Sequence, residues 1–323
     1  MKLAMTYSYL KQDLDQIEKA LDETIHAKHP VLRDASQQLL QAGGKRLRPV
    51  FVLLAAKFGH YDIERMKTIA VSMELIHMAS LVHDDVIDES ELRRGEPTVK
   101  AKWDNRVAMY TGDYIFARSL EYLTSLEKPR AHKQLSETIV ELCIGEVEQI
   151  RDKYVVNQNV RNYLRRIKRK TALLISSSCR LGAIAAEVPE PYEKALYHYG
   201  YNIGMSYQII DDILDFTATE KELGKPAGSD LLQGNLTLPV FYAMEDPVFR
   251  SELEKLFEDP SRLTNHDIRP FIDRIKASGA IDKSFDLSEK YLLKAYQSLD
   301  ELPDIKAKQT LKDIAKYIGK RKS

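Results

Sequence analysis

The sequence predicts an all-α fold, a bundle of helices around a central cavity. Apolar residues recur at steps of three and four along most of the chain. Stretches alternating apolar with polar residues are scarce, and the Asn-Gly and Asp-Gly dipeptides that join strands do not occur.

The helices follow in chain order. Leu10, Leu14, Ile17, Leu21 and Ile25 form one apolar stripe. Leu39-Leu40 run into Gly43-Gly44, a helix stop, and Pro49 suits the first turn of the next helix. That helix, Val50 to Phe58, is apolar on nearly all sides and therefore central. Further helical patterns cover about 66–88, 105–125, 131–154, 160–186, 190–215, 236–245 and 283–299, with a short last one near 305–318. Breaks fall at Gly95–Pro97, Lys128-Pro129, Pro189–Pro191, Gly224–Gly234 and Asp259-Pro260. None has a linker's composition and no repeat is visible, so residues 1–323 read as one domain of roughly ten helices.

Composition narrows the function. Lys+Arg and Asp+Glu are equal at 48 each, so no overall field favours nucleic acid. An anionic ligand must be held by a local cluster of bases. Two cysteines, Cys143 and Cys179, lie in apolar stretches, which argues against a disulfide framework or zinc site and fits a reducing compartment. Met1 to Leu10 shows no secretory signal. The most apolar window, Leu173 to Ala186, is broken by Arg180 and is shorter than the ~20 residues of a membrane span. A soluble, cytoplasmic protein is expected.

The chemistry begins at His83-Asp84-Asp85-Val86-Ile87-Asp88. On a helix, Asp84 and Asp88 stand one turn apart on one face. Carboxylates so placed repel each other unless a cation sits between them, and Mg²⁺ prefers such hard oxygen ligands. Alone, such a cluster is more often a solvated face. Gln208-Ile209-Ile210-Asp211-Asp212-Ile213-Leu214-Asp215 repeats the spacing after another apolar helix. Mg²⁺ commonly binds one or two carboxylates plus substrate phosphates, so the pair points to a diphosphate.

Bases suited to that ligand are present. Gly43-Gly44-Lys45-Arg46-Leu47-Arg48-Pro49 sets three cations in a turn that opens a helix, where backbone N–H groups also favour anions. Arg93-Arg94-Gly95 follows the first acidic motif, and Lys168-Arg169-Lys170-Thr171 precedes an apolar run. Lys225 lies in the Gly224–Gly234 loop, of a length that often serves as a lid. Arg165, Arg166 and Arg169 read as a solvated helix face.

These residues, in this order, resemble the trans-polyprenyl diphosphate synthases over essentially the whole chain. The likeness is carried by Gly43–Pro49, Glu74–Gly95, Lys170-Thr171, Gln208–Asp215 and Gly224–Pro239. Ala101-Lys102-Trp103-Asp104 and Tyr163-Leu164-Arg165-Arg166 are most similar to the catalytic subunits of the family's bacterial two-component, heptaprenyl-forming branch. The resemblance implies the isoprenoid synthase type of helical bundle and Mg²⁺ as cofactor. It implies an isopentenyl diphosphate site at Lys45, Arg48, His77 and Arg94, and metal ligands at Asp84, Asp88 and Asp211, with Asp215 in the same motif. Arg93, Lys170, Thr171, Gln208 and Lys225 match groups that meet the allylic substrate, with farnesyl diphosphate as the expected primer. It also implies a heterodimer with a smaller component I subunit, or a homodimer, and a place in menaquinone side-chain synthesis. Peripheral membrane association stays open, because the product is a lipid.

Ala79 and Ser80, five and four residues before Asp84, are small where short-chain relatives carry an aromatic; Ile76 and Met73 lie deeper on that helix. The resemblance therefore implies a product beyond four isoprene units, with heptaprenyl favoured over hexa- or octaprenyl and over the geranylgeranyl alternative. Two departures stand out: Gln233-Gly234-Asn235 lacks the lysine many relatives have at its last position, and the basic tail Gly319–Ser323 receives no catalytic role. A class I terpene cyclase is opposed by Asp211, Asp212 and Asp215. A regulatory subunit is opposed by the presence of both acidic motifs.

Overall fold

The structure, a computed structural model, describes residues 3–93, 95–219 and 226–321. The chain groups into two compact units. The first is Met1–Glu137, Leu174–Tyr197 and Glu301–Asp313; the second is Thr138–Leu173, His198–Asp300 and Ile314–Ser323.

The first unit opens with α1 (Leu3–Thr6), α2 (Lys11–Ile25), α3 (Pro30–Gln41), α4 (Leu47–Ala56) and α5 (Ile63–Ile87). It continues through α6 (Val99–Lys102), α7 (Asn105–Leu123) and the start of α8 (Pro129–Asp152). The stripe on α2 faces inward, with Leu10, Ile17, Leu21 and Ile25 buried and Leu14 half-buried. As expected, α4 is central: every side chain from Val50 to Ala56 is at 0% exposure. α10 (Leu173–Ala185) approaches it at Gly182, where a Cβ would lie 2.3 Å from the Val52 carbonyl oxygen. The long α5 starts on Asp62, whose side chain accepts from the Glu64 N–H, and packs against α2, α4 and α7.

The second unit holds α9 (Val160–Ile167), most of α11 (Glu190–Thr217), α12 (Ser229–Leu232), α13 (Leu238–Ala243) and α14 (Pro247–Leu256). It also holds α15 (Asn265–Ala277), α16 (Ala280–Ser298) and the end of α17 (Lys306–Gly319). Its core gathers Tyr163, Met205, Ile209, Phe216, Phe241 and Phe249. A buried side chain of this size contributes about 1.5–3 kcal/mol.

The all-α expectation holds, with differences in detail. No helix was expected between 246 and 278, yet α14 and α15 lie there. Their start signals were in the sequence: Asp246 accepts from the Val248 N–H, and Thr264 with Asp267 closes a capping box. The break at Gly95–Pro97 carries a two-stranded pairing of Leu92–Arg93 with Glu96–Pro97. The expected helix at 160–186 is interrupted by a π-helical turn, Lys168–Ala172. Arg166 and Arg169 do not form a solvated face. Arg166 is buried and donates to the Leu236 carbonyl, while Arg169 pairs with Glu141 at 2.9 Å and Glu148 at 2.6 Å. Of the two cysteines, Cys179 is buried and Cys143 is exposed.

Candidate active site

In the first unit the acidic motif ends α5. The Asp88 N–H donates to the Asp84 carbonyl at 2.8 Å, and Glu89 turns left-handed at φ 50°, which stops the helix. Asp84 and Asp88 are half-buried at this end, one turn apart. Asp85 points inward at 3% exposure and accepts from Arg93 Nε at 2.9 Å and Nη2 at 2.6 Å. Burial pushes the Asp85 carboxyl above its ordinary range even with Arg93 beside it. Arg93, assigned from sequence to the allylic substrate, is thus paired with the middle aspartate.

The basic turn bends through Gly43 at φ 71° and Arg46 at φ 46°, and Arg48 is the second residue of α4. The Tyr7 hydroxyl donates to the Lys45 carbonyl at 3.3 Å. Gly43, Arg46, Glu74, His77, Met78 and Arg93 line one pocket. The structure therefore brings His77 and Arg93 to the edge of the basic turn. It adds two residues to which the sequence reading gave no role, Glu18 and Glu74, around Arg46, which that reading had counted among the cations of the turn. Glu74 was the detectable one, a carboxylate inside the apolar run Ile69–Val82. Met73, Ile76 and Ala79 are buried in α5, and Ser80 donates its hydroxyl to the His77 carbonyl at 2.8 Å.

In the second unit Lys170 and Thr171 sit on the π turn, an irregularity common at functional sites. Two glycines admit it: a Cβ at Gly145 would lie 2.6 Å from Arg169 Cβ, and one at Gly204 2.5 Å from Ala172 Cα. Thr171 donates its hydroxyl to Gln208 Oε1 at 2.7 Å, and Gln208 Nε2 donates to Asp212 at 2.8 Å. The Tyr163 hydroxyl donates to the other Asp212 oxygen at 2.6 Å. Burial pushes the Asp212 carboxyl up to about 8, with the nearby Asp230 charge adding to it. Lys170 Nζ lies 3.3 Å from Glu146.

The aspartates of this second motif have separate surroundings. Asp211 has a side chain 42% exposed and accepts from Arg321 at 3.0 Å, while the same guanidinium stacks on Tyr207 at 4.8 Å. Asp215 is at 2% exposure and accepts from the Ser229 hydroxyl at 2.9 Å and the Asp230 N–H at 3.2 Å. It anchors the start of α12. The basic tail, given no role from sequence, thus reaches a residue assigned to metal. Arg94 and Lys225 lie outside the described residues.

The donor chemistry fits a hard divalent cation, since the aspartates at the end of α5 and on α11 offer only oxygen. Among the described residues, no three His, Cys, Asp or Glu side chains converge closely enough to hold one unaided. No described helix is long and apolar enough to cross a membrane.

An all-helical fold with repeated aspartate pairs on helices and a glycine-cation turn opening another defines a class of enzymes that act on diphosphate esters. The chain belongs to the polyprenyl synthetase family, whose profile matches residues 29–272, and it is a prenyltransferase. It is 60% identical over 322 residues to heptaprenyl diphosphate synthase component 2 of Bacillus subtilis (strain 168), covering 100% of this chain and 92% of that protein. Its fold matches the crystal structure of heptaprenyl diphosphate synthase from Staphylococcus aureus with a TM-score of 0.92 at 44% identity, covering 97% of this chain and 99% of that one. It also matches a polyprenyl synthase from Caulobacter crescentus CB15, complexed with calcium and isoprenyl diphosphate. There the TM-score is 0.94 at 30% identity, covering 99% of this chain and 98% of that one.

Proposed function

We propose that the protein condenses isopentenyl diphosphate with farnesyl diphosphate to make all-trans heptaprenyl diphosphate for menaquinone side chains. It acts in the cytoplasm as the catalytic subunit of a heterodimer with a smaller component. The observation that carries the reading is the presence of both aspartate motifs intact in a chain 60% identical to a heptaprenyl synthase's second component.

Lys45, Arg48, His77 and Arg94 bind the diphosphate of isopentenyl diphosphate. Asp84, Asp88 and Asp211 would hold Mg²⁺, whose charge, when it is bound, stabilises the departing allylic diphosphate, while Asp215, buried and engaged by Ser229 and the Asp230 N–H, supports the motif from behind. Arg93, Lys170 and Lys225 add positive charge on the allylic side. The allylic C–O bond breaks with its electron pair leaving on the diphosphate. The isopentenyl double bond attacks the resulting cation, and a proton leaves to the released diphosphate. The lone pairs of Thr171 Oγ1 and Gln208 Oε1, held by their mutual hydrogen bond, face positive charge better than a free rotor would. Small residues at Ala79 and Ser80 leave room for a chain to grow past Asp84.

The test is product length. The purified chain, with labelled isopentenyl diphosphate, farnesyl diphosphate and Mg²⁺, is assayed alone and with the smaller subunit. A seven-unit product that requires the partner supports the reading. A four-unit product from the chain alone, or a cyclised product, replaces it.

A further inference from the structure

The middle cation of the basic turn is already engaged from within the protein. Arg46 adopts a left-handed backbone at φ 46°, which a residue with a Cβ takes up only when its surroundings hold it there. The surroundings are explicit. Arg46 Nε and Nη2 donate to the two oxygens of Glu18 at 2.9 and 2.7 Å. Nη1 donates to Glu74 at 3.2 Å, and Nη2 also donates to the Leu40 carbonyl at 3.2 Å. Glu74 is buried at 3% exposure.

Two carboxylates around one guanidinium leave a net negative cluster, so an incoming diphosphate gains little from Arg46 itself. Its planar fork instead joins three pieces: Glu18 on α2, the turn that carries Lys45 and Arg48, and Glu74, three residues before His77 on α5. Only arginine offers that many donors in a fixed plane. We propose that Arg46, with Glu18 and Glu74, is a positioning clamp that sets Lys45 and Arg48 against His77 for isopentenyl diphosphate. This rests on the assignment of those three residues proposed above. The rival role for Arg46 is that of a direct diphosphate ligand.

The two roles separate in steady-state kinetics of the intact enzyme, supplied with Mg²⁺ and its partner subunit. Under the clamp, Arg46→Lys keeps the charge but loses the fork, so KM for isopentenyl diphosphate rises roughly tenfold. Glu18→Gln has the same effect, and KM for the allylic substrate stays unchanged in both. The double variant is no worse than the poorer single, because both break one unit. A direct ligand gives a different pattern: Arg46→Lys again raises KM, since lysine cannot reproduce a bidentate guanidinium contact to phosphate, but Glu18→Gln lowers KM by removing a competing negative charge. An unchanged KM in Arg46→Lys, a lowered KM in Glu18→Gln, or additive effects overturn the clamp. Glu18 is half exposed, so Glu18→Gln decides the matter should Arg46→Lys fail to fold. Lys45→Ala is the control. An unchanged KM there refutes the site assignment itself, whereas a raised KM there beside an unchanged Arg46→Lys refutes the clamp alone.

Discussion

Gln208 serves two buried neighbours at once, accepting from Thr171 and donating to Asp212. Replacing it with leucine leaves a hydroxyl and a buried carboxyl each short of a partner, which costs about 1–3 kcal/mol per group. Gln208→Leu is expected to lower the melting temperature and to reduce kcat by roughly a hundredfold, since Thr171 loses its orientation. A calorimetric scan beside single-turnover kinetics checks both, and unchanged kcat would remove Thr171–Gln208 from the chemistry. The cysteines give a second test at this scale. Burial pushes the Cys179 thiol far above its ordinary range, while Cys143 is exposed. A thiolate reagent at mild alkaline pH is therefore expected to label Cys143 alone, and Cys179 only after denaturation. Mass spectrometry of the labelled peptides decides. The placement of the aspartates was legible, because their spacing puts Asp84 and Asp88 one turn apart on a helix before folding is known. The surroundings of Arg46 and Arg166 were not legible, because their partners are distant in sequence and burial cannot be read from charge alone.

The element scale is where the π turn matters. Helical periodicity runs smoothly from 160 to 186, so nothing in the apolar pattern marked the extra residue at Lys168–Ala172. Glycines face it from α8 and α11, where a Cβ would not fit, a close approach that periodicity does not encode. Gly204→Ala drives a methyl group against Ala172 backbone, and the neighbour cannot yield as a flexible side chain would. The expected cost is about 1–3 kcal/mol, with catalytic loss larger than stability loss because Lys170 and Thr171 ride on the displaced turn. Urea unfolding compared with kcat tests this; equal loss in Gly204→Ala and in a core variant elsewhere would assign the turn a structural role only. The end of α17 offers the other element-scale test. Arg321 holds Asp211 with a pair that is only partly shielded, worth at most about 1 kcal/mol. Arg321→Ala is expected to lower the Mg²⁺ concentration for half-maximal activity by about two- to fivefold, and an unchanged requirement would show that the tail does not compete.

At the scale of the whole molecule, the all-α architecture was readable because helices at least ten residues long repeat their apolar pattern several times. The four-residue helices and the two-residue strand pairing repeat nothing, and so escaped; α14 and α15, ten and thirteen residues long, were missed although Asp246 and the Thr264–Asp267 capping box marked their starts. The same limit applies to the metal. Paired aspartates announce a cation, yet among the described residues no cluster is complete enough to hold one without further ligands. On the proposed function the remaining ligands are phosphate oxygens, which would make metal and diphosphate binding mutually dependent. Linkage turns this into a stability measurement. Mg²⁺ alone, or an unreactive farnesyl thiodiphosphate alone, is expected to leave the melting temperature nearly unchanged. Together, at a hundredfold excess over Kd, they stabilise the fold by about 2.7 kcal/mol, and EDTA returns the melting curve to that of the free protein. A full shift with Mg²⁺ alone would mean that the protein itself supplies a complete cation site, and the assignment of Asp84, Asp88 and Asp211 as substrate-dependent ligands would have to be abandoned.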